Sequence, residues 1–223
     1  MWLTEFVPFG GTEPDDWCTI SLSQIADFIS GYSYKGNELQ PSTTAMATIK
    51  NFDRSGGFKL DGFKELVPSE KIKAAHYVQL FDILVAHTDL TQKAEVIGNA
   101  EIVLDSAGYE KIVFSMDLMK VIPKEGISQF LLAGILQDSR FKAHCLGYVN
   151  GTTVLHLSKK ALPEYELLFP KDIETLRPLG DALETLYRKQ SALMAENRAL
   201  TALRDSMLPR LMSGEIDVSD IQL

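Results

Sequence analysis

The chain has 223 residues, 45% of them apolar and 23% charged, which suits a globular domain that buries a core and carries one appendage. The formal net charge of −8 argues against a nucleic-acid binder held by global electrostatic attraction. Two cysteines, Cys18 and Cys145, are too few for a disulfide framework, so a reducing cytoplasm is expected. The apolar runs are too short to span a bilayer, and the first residues do not read as a signal peptide, so no membrane partner is expected.

Most of the chain mixes short helical and strand-like segments without a regular βαβ order. A Gly- and Pro-rich lead-in precedes a short helix, predicted over residues 25–29 with Ser23 as its N-cap and Gly31 as its stop. A polar, Gly-rich stretch follows to Phe63. Apolar, β-rich segments predict strands at residues 44–49, 82–87, 95–104, 111–121, 154–157 and 165–169, with an apolar helix from Ser128 that ends by Gly147. The pattern predicts an irregular, mixed α+β domain over residues 1–170.

Residues 171–223 follow a different pattern, which predicts a long helix. Its repeating residues are Leu176, Leu179, Leu183, Leu186, Leu193, Leu200 and Leu203, with Gln190 and Asn197 at core positions of the same heptad. Polar residues at such positions cost stability but fix the register of a coiled coil. Pro209 is expected to end or kink the helix, and Gly214 to stop it. The apolar stripe predicts a partner helix; a core helix packed on its own domain is the alternative.

Motifs for catalysis are missing from the sequence. There is no Gly-rich phosphate loop and no GxSxG turn, and the four histidines lack metal-binding spacing. No Asp or Glu stands two residues before a lysine, as many metal-dependent nucleases need, and the [DN]PP[YF] tetrapeptide of amino-methyltransferases is absent. We therefore predict no catalytic residue, no metal and no cofactor, and a protein that reads or scaffolds.

The end of the predicted helix has a specific pattern. Residues 197–216 read NRALTALRDSMLPRLMSGEI, which resembles the leucines followed by LLP(K/R)LLSGEI that close the specificity subunits of type I restriction–modification enzymes. Asp16-Trp17 and the segment 29–36 are similar to the opening of a target-recognition domain in that family. Residues 80–87 resemble the family's GDILVAR strand, with Phe81 and His87 where Gly and Arg are common, and residues 147–157 resemble the close of the domain.

The resemblance implies a DNA-recognition subunit without catalytic activity. One globular target-recognition domain would read half of a split sequence in double-stranded DNA. The long helix would pack antiparallel against a second helix, and methyltransferase subunits, with the restriction subunit beyond them, would bind this scaffold. Family members usually carry two recognition domains and two helices, whereas this sequence shows one of each. The implied assembly is a homodimer that reads a split palindrome; a fragment of a longer gene is the competing explanation.

Three loops offer groups suited to DNA, because Arg, Asn and Gln read base edges while Lys, Ser and Thr contact phosphates. The candidate DNA-binding residues are Tyr32, Ser33, Tyr34 and Lys35 in the first loop, Lys50, Asn51, Arg54 and Lys59 in the second, and Arg140, Lys142, Tyr148, Asn150 and Thr152 in the third. The two tyrosines of the first loop could instead only pack, and Asn150-Gly151 could be only a turn. A coiled-coil dimer that binds protein and no DNA remains the alternative function.

Overall fold

The computed structural model describes residue 11 and residues 15–216, and within them a mixed α+β fold ends in one long helix. The strands are β1 (Trp17–Ser21), β2 (Ala26–Ser30), β3 (Thr44–Ala47), β4 (Lys64–Glu65), β5 (Tyr77–Val78), β6 (Ile83–Ala86), β7 (Thr88–Asp89), β8 (Ala100–Ile102), β9 (Lys111–Phe114), β10 (Leu118–Pro123), β11 (Val149–Asn150), β12 (Leu155–Leu157) and β13 (Glu166–Pro170). The helices are α1 (Leu22–Ile25), α2 (Gln129–Leu136), α3 (Ser139–Leu146) and α4 (Arg177–Met212). The predicted α+β class and the long C-terminal helix are confirmed.

Two four-stranded sheets form the centre of the fold. One has the order β2-β10-β6-β8 with antiparallel neighbours, and the other has the order β4-β3-β9-β5 with β3 parallel to β9. Strand β6 is buried along its whole length, which explains its uninterrupted Ile-Leu-Val-Ala run. The main core lies between the first sheet, α2, the β1–β13 ribbon and the start of α4. A small sheet of order β11-β12-β7 borders it.

The short helix predicted over residues 25–29 is wrong. The helix is the single turn α1, whose N-cap is Ser21, and residues 26–30 form β2. The backbone of β2 pairs along its full length with β10, from Ala26 opposite Pro123 to Ser30 opposite Met119. Five residues of sheet pairing outweigh the weak helical preference of so short a segment.

Two predicted strands are also shorter or divided. The segment 111–121 is split into β9 and β10 by a turn at residues 115–117, and the segment 95–104 contributes only β8.

The single helix predicted from Ser128 to Gly147 is two helices in the structure, α2 and α3. Ser128 caps α2 as expected, its Oγ accepting the Leu131 N–H at 3.4 Å, and Asp138 then caps α3, its carboxylate accepting the Arg140 N–H at 2.8 Å.

The long helix α4 has 36 residues and begins after a 3₁₀ turn over Ile173–Leu176. Leu176 and Leu179 are buried in the core of the chain's own domain, and Leu183 packs against it beside Gly134 of α2. These three leucines therefore do not belong to a partner seam, and that part of the prediction is wrong because α2 already covers them.

Pro209 does not end the helix, which continues to Met212. Among the described residues, no helix is long and apolar enough to cross a membrane.

Candidate nucleic-acid interface

The second predicted loop is held in shape by its own hydrogen bonds. The Asn51 side chain is fully buried; its Oδ1 accepts the Thr48 N–H at 2.8 Å and its Nδ2 donates to the Lys59 carbonyl at 2.8 Å. Asn51 therefore organises the loop and is buried away from any bound base, contrary to its predicted role. The cationic side chains of Lys50, Arg54 and Lys59 remain exposed around it.

A loop that the sequence reasoning missed, residues 89–99, lies against the second loop. Arg54 pairs with Glu95 at 3.2 Å, and Asn99 Nδ2 donates to the Asp53 carbonyl at 3.4 Å. Gln92 and Lys93 in this loop have exposed side chains. No periodic pattern pointed to this loop, because its shape comes from one buried carboxylate.

That carboxylate belongs to Asp89, which is almost fully buried. Its oxygens accept the backbone N–H groups of Thr91 at 2.8 Å and Val96 at 2.9 Å. Burial by itself raises the pKa of Asp89, but these backbone donors outweigh it and hold the pKa below the ordinary aspartate value. Asp89 is therefore charged at neutral pH and ties the two ends of the missed loop together.

The hairpin of β11 and β12 adjoins the missed loop on its other side. Gln92 Nε2 donates to the Thr152 carbonyl, while the Thr152 and Asn150 side chains are exposed. We name residues 48–59, 89–99 and 149–154 the loop cluster. It brings together Lys50, Arg54, Lys59, Asn150 and Thr152 of the predicted set.

Two of the residues predicted to bind DNA, Lys142 and Tyr148, instead form hydrogen bonds within the fold. Lys142 points inward, its ammonium donating to the Glu95 carbonyl and Asn99 Oδ1, and burial lowers its pKa. Tyr148 donates its hydroxyl to Glu164 at 2.9 Å and packs on the His144 ring. Both side chains serve the structure, and the third loop offers DNA fewer groups than predicted. Arg140 is exposed on α3.

The first predicted loop packs elsewhere. Tyr32 is buried; its hydroxyl contacts Ser69 at 2.7 Å and donates to Glu38 at 2.9 Å, and burial raises its pKa. The Tyr34 ring is half-buried and carries the Lys64 ammonium 5.8 Å above its centre. Both tyrosines pack, so the prediction that they contact DNA is not supported by their placement. Ser33 and Lys35 are exposed beside them.

The loop cluster is polar but not strongly basic. A groove of about 450 Å³ between its first two loops is lined by Lys50, Arg54 and Lys59 and also by Asp53 and Glu95. Hydrogen bonds from the Ser55 hydroxyl and N–H hold the pKa of Asp53 below its ordinary value. The cluster therefore offers both donors and acceptors, as base-edge recognition requires, with few net positive charges for phosphates.

A second surface runs along the exposed side of α4. Leu186, Leu193, Leu200 and Met207 recur every seven residues and are between 37% and 64% exposed. Between these four residues, at spacings of four and three, stand Gln190, Asn197, Arg204 and Leu211. The eight residues together follow a heptad pattern along one side of α4, and we call them the free stripe. Leu203, three residues beyond Leu200, lies at the flank of this stripe and is exposed.

The fold, with one mixed α+β domain and one long helix, is that of the specificity subunits of type I restriction–modification systems. The sequence matches no protein-family model and no curated protein. The solved structures that match the fold include three from type I restriction–modification systems. The S subunit from M. genitalium has 10% identity and a TM-score of 0.59 over 91% of this chain and 48% of its own.

The other two structures agree with this likeness. A chain from a structure of the assembly and conformational transition of the type I R-M system has 16% identity and a TM-score of 0.51, over 90% of this chain and 44% of that chain. The HsdS subunit from Thermoanaerobacter tengcongensis has 14% identity and a TM-score of 0.50, over 92% and 47%. The chain thus spans less than half the length of each structure, and the predicted resemblance is confirmed for the fold.

Proposed function

We propose that this chain is the DNA-recognition subunit of a type I restriction–modification system and carries no catalytic activity of its own. The observation that supports it most directly is the fold, shared over about nine tenths of the chain with two structures named as S or HsdS subunits. In this proposal residues 1–170 read one half of a bipartite DNA target. Residues 171–223 form the helical scaffold to which methyltransferase subunits bind, and the restriction subunit joins through them.

The DNA-reading surface in this proposal is the loop cluster. Lys50, Arg54 and Lys59 are exposed on one side of Asn51, and Gln92 and Lys93 stand on the adjoining loop. The amide of Gln92 donates to the Thr152 carbonyl and so orders the cluster, while Arg54, although paired with Glu95, and Lys93 have exposed side chains. Ser33, Lys35 and Arg140 stay secondary candidates because they are exposed outside the cluster.

The partner of the free stripe in this proposal is a second copy of the chain. An antiparallel pair of α4 helices would cover Leu186, Leu193 and Leu200, and Gln190 and Asn197 would fix its register. A two-fold axis through this pair relates two identical recognition domains, so the DNA target becomes a split palindrome.

The test is to express the chain with a type I methyltransferase subunit in a host that lacks other methylation, and to map methylated bases across the genome. The expected result is methylation at one bipartite site whose two halves are inverted repeats. Two unrelated half-sites would contradict the homodimer, because a different recognition domain must then supply the second half. An unchanged methylation map, with the two proteins co-purifying, would favour the alternative of a protein-interaction module, to which the net charge of −8 is suited.

A further inference from the structure

The start of α4 is fastened to the domain by apolar and aromatic contacts. Tyr187 stacks on Phe130 of α2 with ring centres 6.0 Å apart, and its hydroxyl contacts Gln137 Oε1 at 2.7 Å. Arg188 lies over the rings of Phe81 and Phe130. The last apolar residue of this docked face is Met194, which is half-buried against the core.

Two side chains of α4 also make polar bonds to a single loop of the domain, one before Met194 and one after it. Ser191 Oγ donates to the Leu104 carbonyl, and two turns further on the Arg198 guanidinium pairs with the Asp105 carboxylate at 3.3 Å. Asp105 is only 2% exposed, while the Arg198 side chain is 45% exposed. Arg198 therefore reaches from a largely solvated helix into a buried acceptor. Such a pair is lost at a high cost if one partner is removed, because the buried charge is left behind.

The loop that carries Asp105 is shaped to receive the arginine. The same carboxylate oxygen accepts the Ala107 N–H at 2.6 Å, and Ala107 and Gly108 both have positive φ angles, of 54° and 87°. A side chain at Gly108 would lie 3.2 Å from Arg198 Nη1, so the absence of one leaves room for the guanidinium. Residues 199–212 are exposed, and the ion pairs there, Arg204–Asp205 and Arg210–Glu215, stay within the helix region.

We propose that Arg198 and Asp105 are positioning residues: their ion pair fixes the angle between the recognition domain and the free half of α4. Apolar packing ends at Met194, four residues earlier, and in the described part of the chain no hydrogen bond or ion pair joins α4 to the domain beyond Arg198. A helix held only at its base can swing, and a second anchor one turn further along restricts that motion. The free stripe flanks this anchor, with Asn197 next to Arg198 in sequence.

This angle has a consequence for DNA reading that rests on the proposed function. In an assembly of two copies joined along α4, the helix–domain angle sets how far apart the two loop clusters lie. A fixed angle therefore restricts the separation between half-sites that the assembly accepts. Loss of the pair should widen the accepted range without changing the sequence of either half-site, since no base-reading residue is altered.

The angle can be measured within one chain by double electron–electron resonance. Spin labels are placed at the exposed positions Glu70 and Ala202 by substitution with cysteine in a Cys18→Ser background, and labelled chain is diluted in excess unlabelled chain. Native protein should give one narrow distance distribution, and Arg198→Ala a broader one with a shifted mean. The control is Arg210→Ala, which removes an exposed arginine of α4 that pairs only with Glu215. Equal widths for native protein and Arg198→Ala would overturn the proposal.

A second variant tests whether the two residues act as a pair. Asp105→Asn keeps an oxygen for the Ala107 N–H but removes the charge, so it should broaden the distribution as Arg198→Ala does. The double variant should be no broader than either single one, and additive broadening would contradict the pairing.

DNA duplexes whose half-sites are separated by one base pair more or fewer than the native spacer supply the functional readout. In complex with the methyltransferase subunit, Arg198→Ala should methylate these duplexes at rates closer to that of the native spacer than wild type does. Unchanged discrimination between spacers would overturn the link to DNA reading. If the wild-type complex methylates no duplex at all, the proposed function fails, while the distance measurement still decides the role of the pair.

Discussion

Gly31 stands where the first polar loop leaves β2, and the backbone leaves no room there for a side chain. A Cβ at this position would lie 2.0 Å from the Ser115 carbonyl oxygen and 2.5 Å from the Ser115 carbonyl carbon. The sequence pattern suggested a different reason for the glycine, the end of a helix. The structure shows that close approach of two backbones requires it, because the neighbouring Tyr32 bridges to Ser115.

Gly31→Ala should therefore destabilise the protein by about 1–3 kcal/mol, the usual cost of forcing extra atoms into a packed site. Urea unfolding followed by circular dichroism measures the change. Gly36→Ala, five residues along the same loop, is the matched control, because a Cβ there meets nothing within 4 Å and the φ angle is not positive. Equal stability of the two variants would mean that the Ser115 backbone moves aside without cost.

Phe81 shows the opposite case, a large side chain at a position that favours glycine. Its φ angle is +75°, a conformation that costs a non-glycine residue energy. The resembling family commonly has glycine here. In this chain the Phe81 ring packs edge-on against Phe130 at 5.3 Å and lies beneath the Arg188 guanidinium. The contacts that Phe130 of α2 and Arg188 of α4 make with this ring offset the strained backbone, so the departure from the family pattern has a structural reason.

At the scale of elements, α4 presents two adjoining faces with different roles. One face, with Leu179, Leu183, Tyr187 and Met194, packs on the chain's own domain, as does Leu176 in the preceding turn. The free stripe from Leu186 to Leu211 faces solvent. The alternative of a core helix therefore describes the first half of α4, and the partner helix stays a prediction for the free stripe. The single seam expected from the leucine spacing fails because a helix with apolar residues at three- and four-residue intervals can bury more than one side.

Replacing Leu193 and Leu200 with glutamate tests the free stripe. Both side chains are about half exposed in one chain, so the substitutions should leave its fold unchanged, as circular dichroism would show. In an α4–α4 pair they would place four carboxylates in one apolar seam, and sedimentation velocity should show monomer at micromolar concentration where wild type is dimeric. Ala195→Glu, on the exposed side away from the stripe, is the control and should remain dimeric. A dimer that survives both glutamates would place the interface elsewhere.

At the scale of the whole molecule, electrostatics limit how DNA is held. With a net charge of −8 and a loop cluster of mixed sign, the chain by itself releases few counterions from a duplex. We therefore expect weak, salt-sensitive binding by the isolated chain and firm binding only when methyltransferase subunits surround the DNA. Tight, salt-resistant and specific binding by the chain alone would contradict this expectation.

Lys50→Ala and Arg54→Ala should weaken DNA binding by the complex with the methyltransferase subunit. Each lost phosphate contact should reduce the slope of log affinity against log salt by about one, and a lost base contact should lower specificity at one position. Fluorescence anisotropy at several salt concentrations measures both. Lys171→Ala is the control, since this exposed lysine follows β13, its backbone N–H donates to the Asp16 carbonyl, and it is not part of the loop cluster. Wild-type affinity and slope in both variants would exclude the second loop from the interface.

Local patterns were enough to predict much of the fold. The sequence predicted the apolar strands β3 and β6, the Ser128 cap of α2 and the leucine-rich helix α4. Burial and helix capping depend on residues close together in the chain, so a local sequence pattern can predict them. The candidate site was predicted less well. Lys50, Arg54 and Lys59 are exposed as expected, but Tyr32, Asn51 and Lys142 are held inside the fold. The sequence does not distinguish a polar side chain that forms hydrogen bonds within the fold from one that is exposed and able to bind a ligand.

The sequence by itself determined the α+β class, the long final helix, the family resemblance and the heptad of leucine, glutamine and asparagine, because each depends on residues close together in the chain. Only the tertiary structure decided that the first leucines of α4 are buried in their own domain, that loop 89–99 joins loop 48–59, and that Arg198 reaches Asp105. The residues in these contacts are far apart in sequence, as Arg54 and Glu95 or Asp105 and Arg198 are. A short sequence pattern does not show which distant residue will lie beside a given side chain.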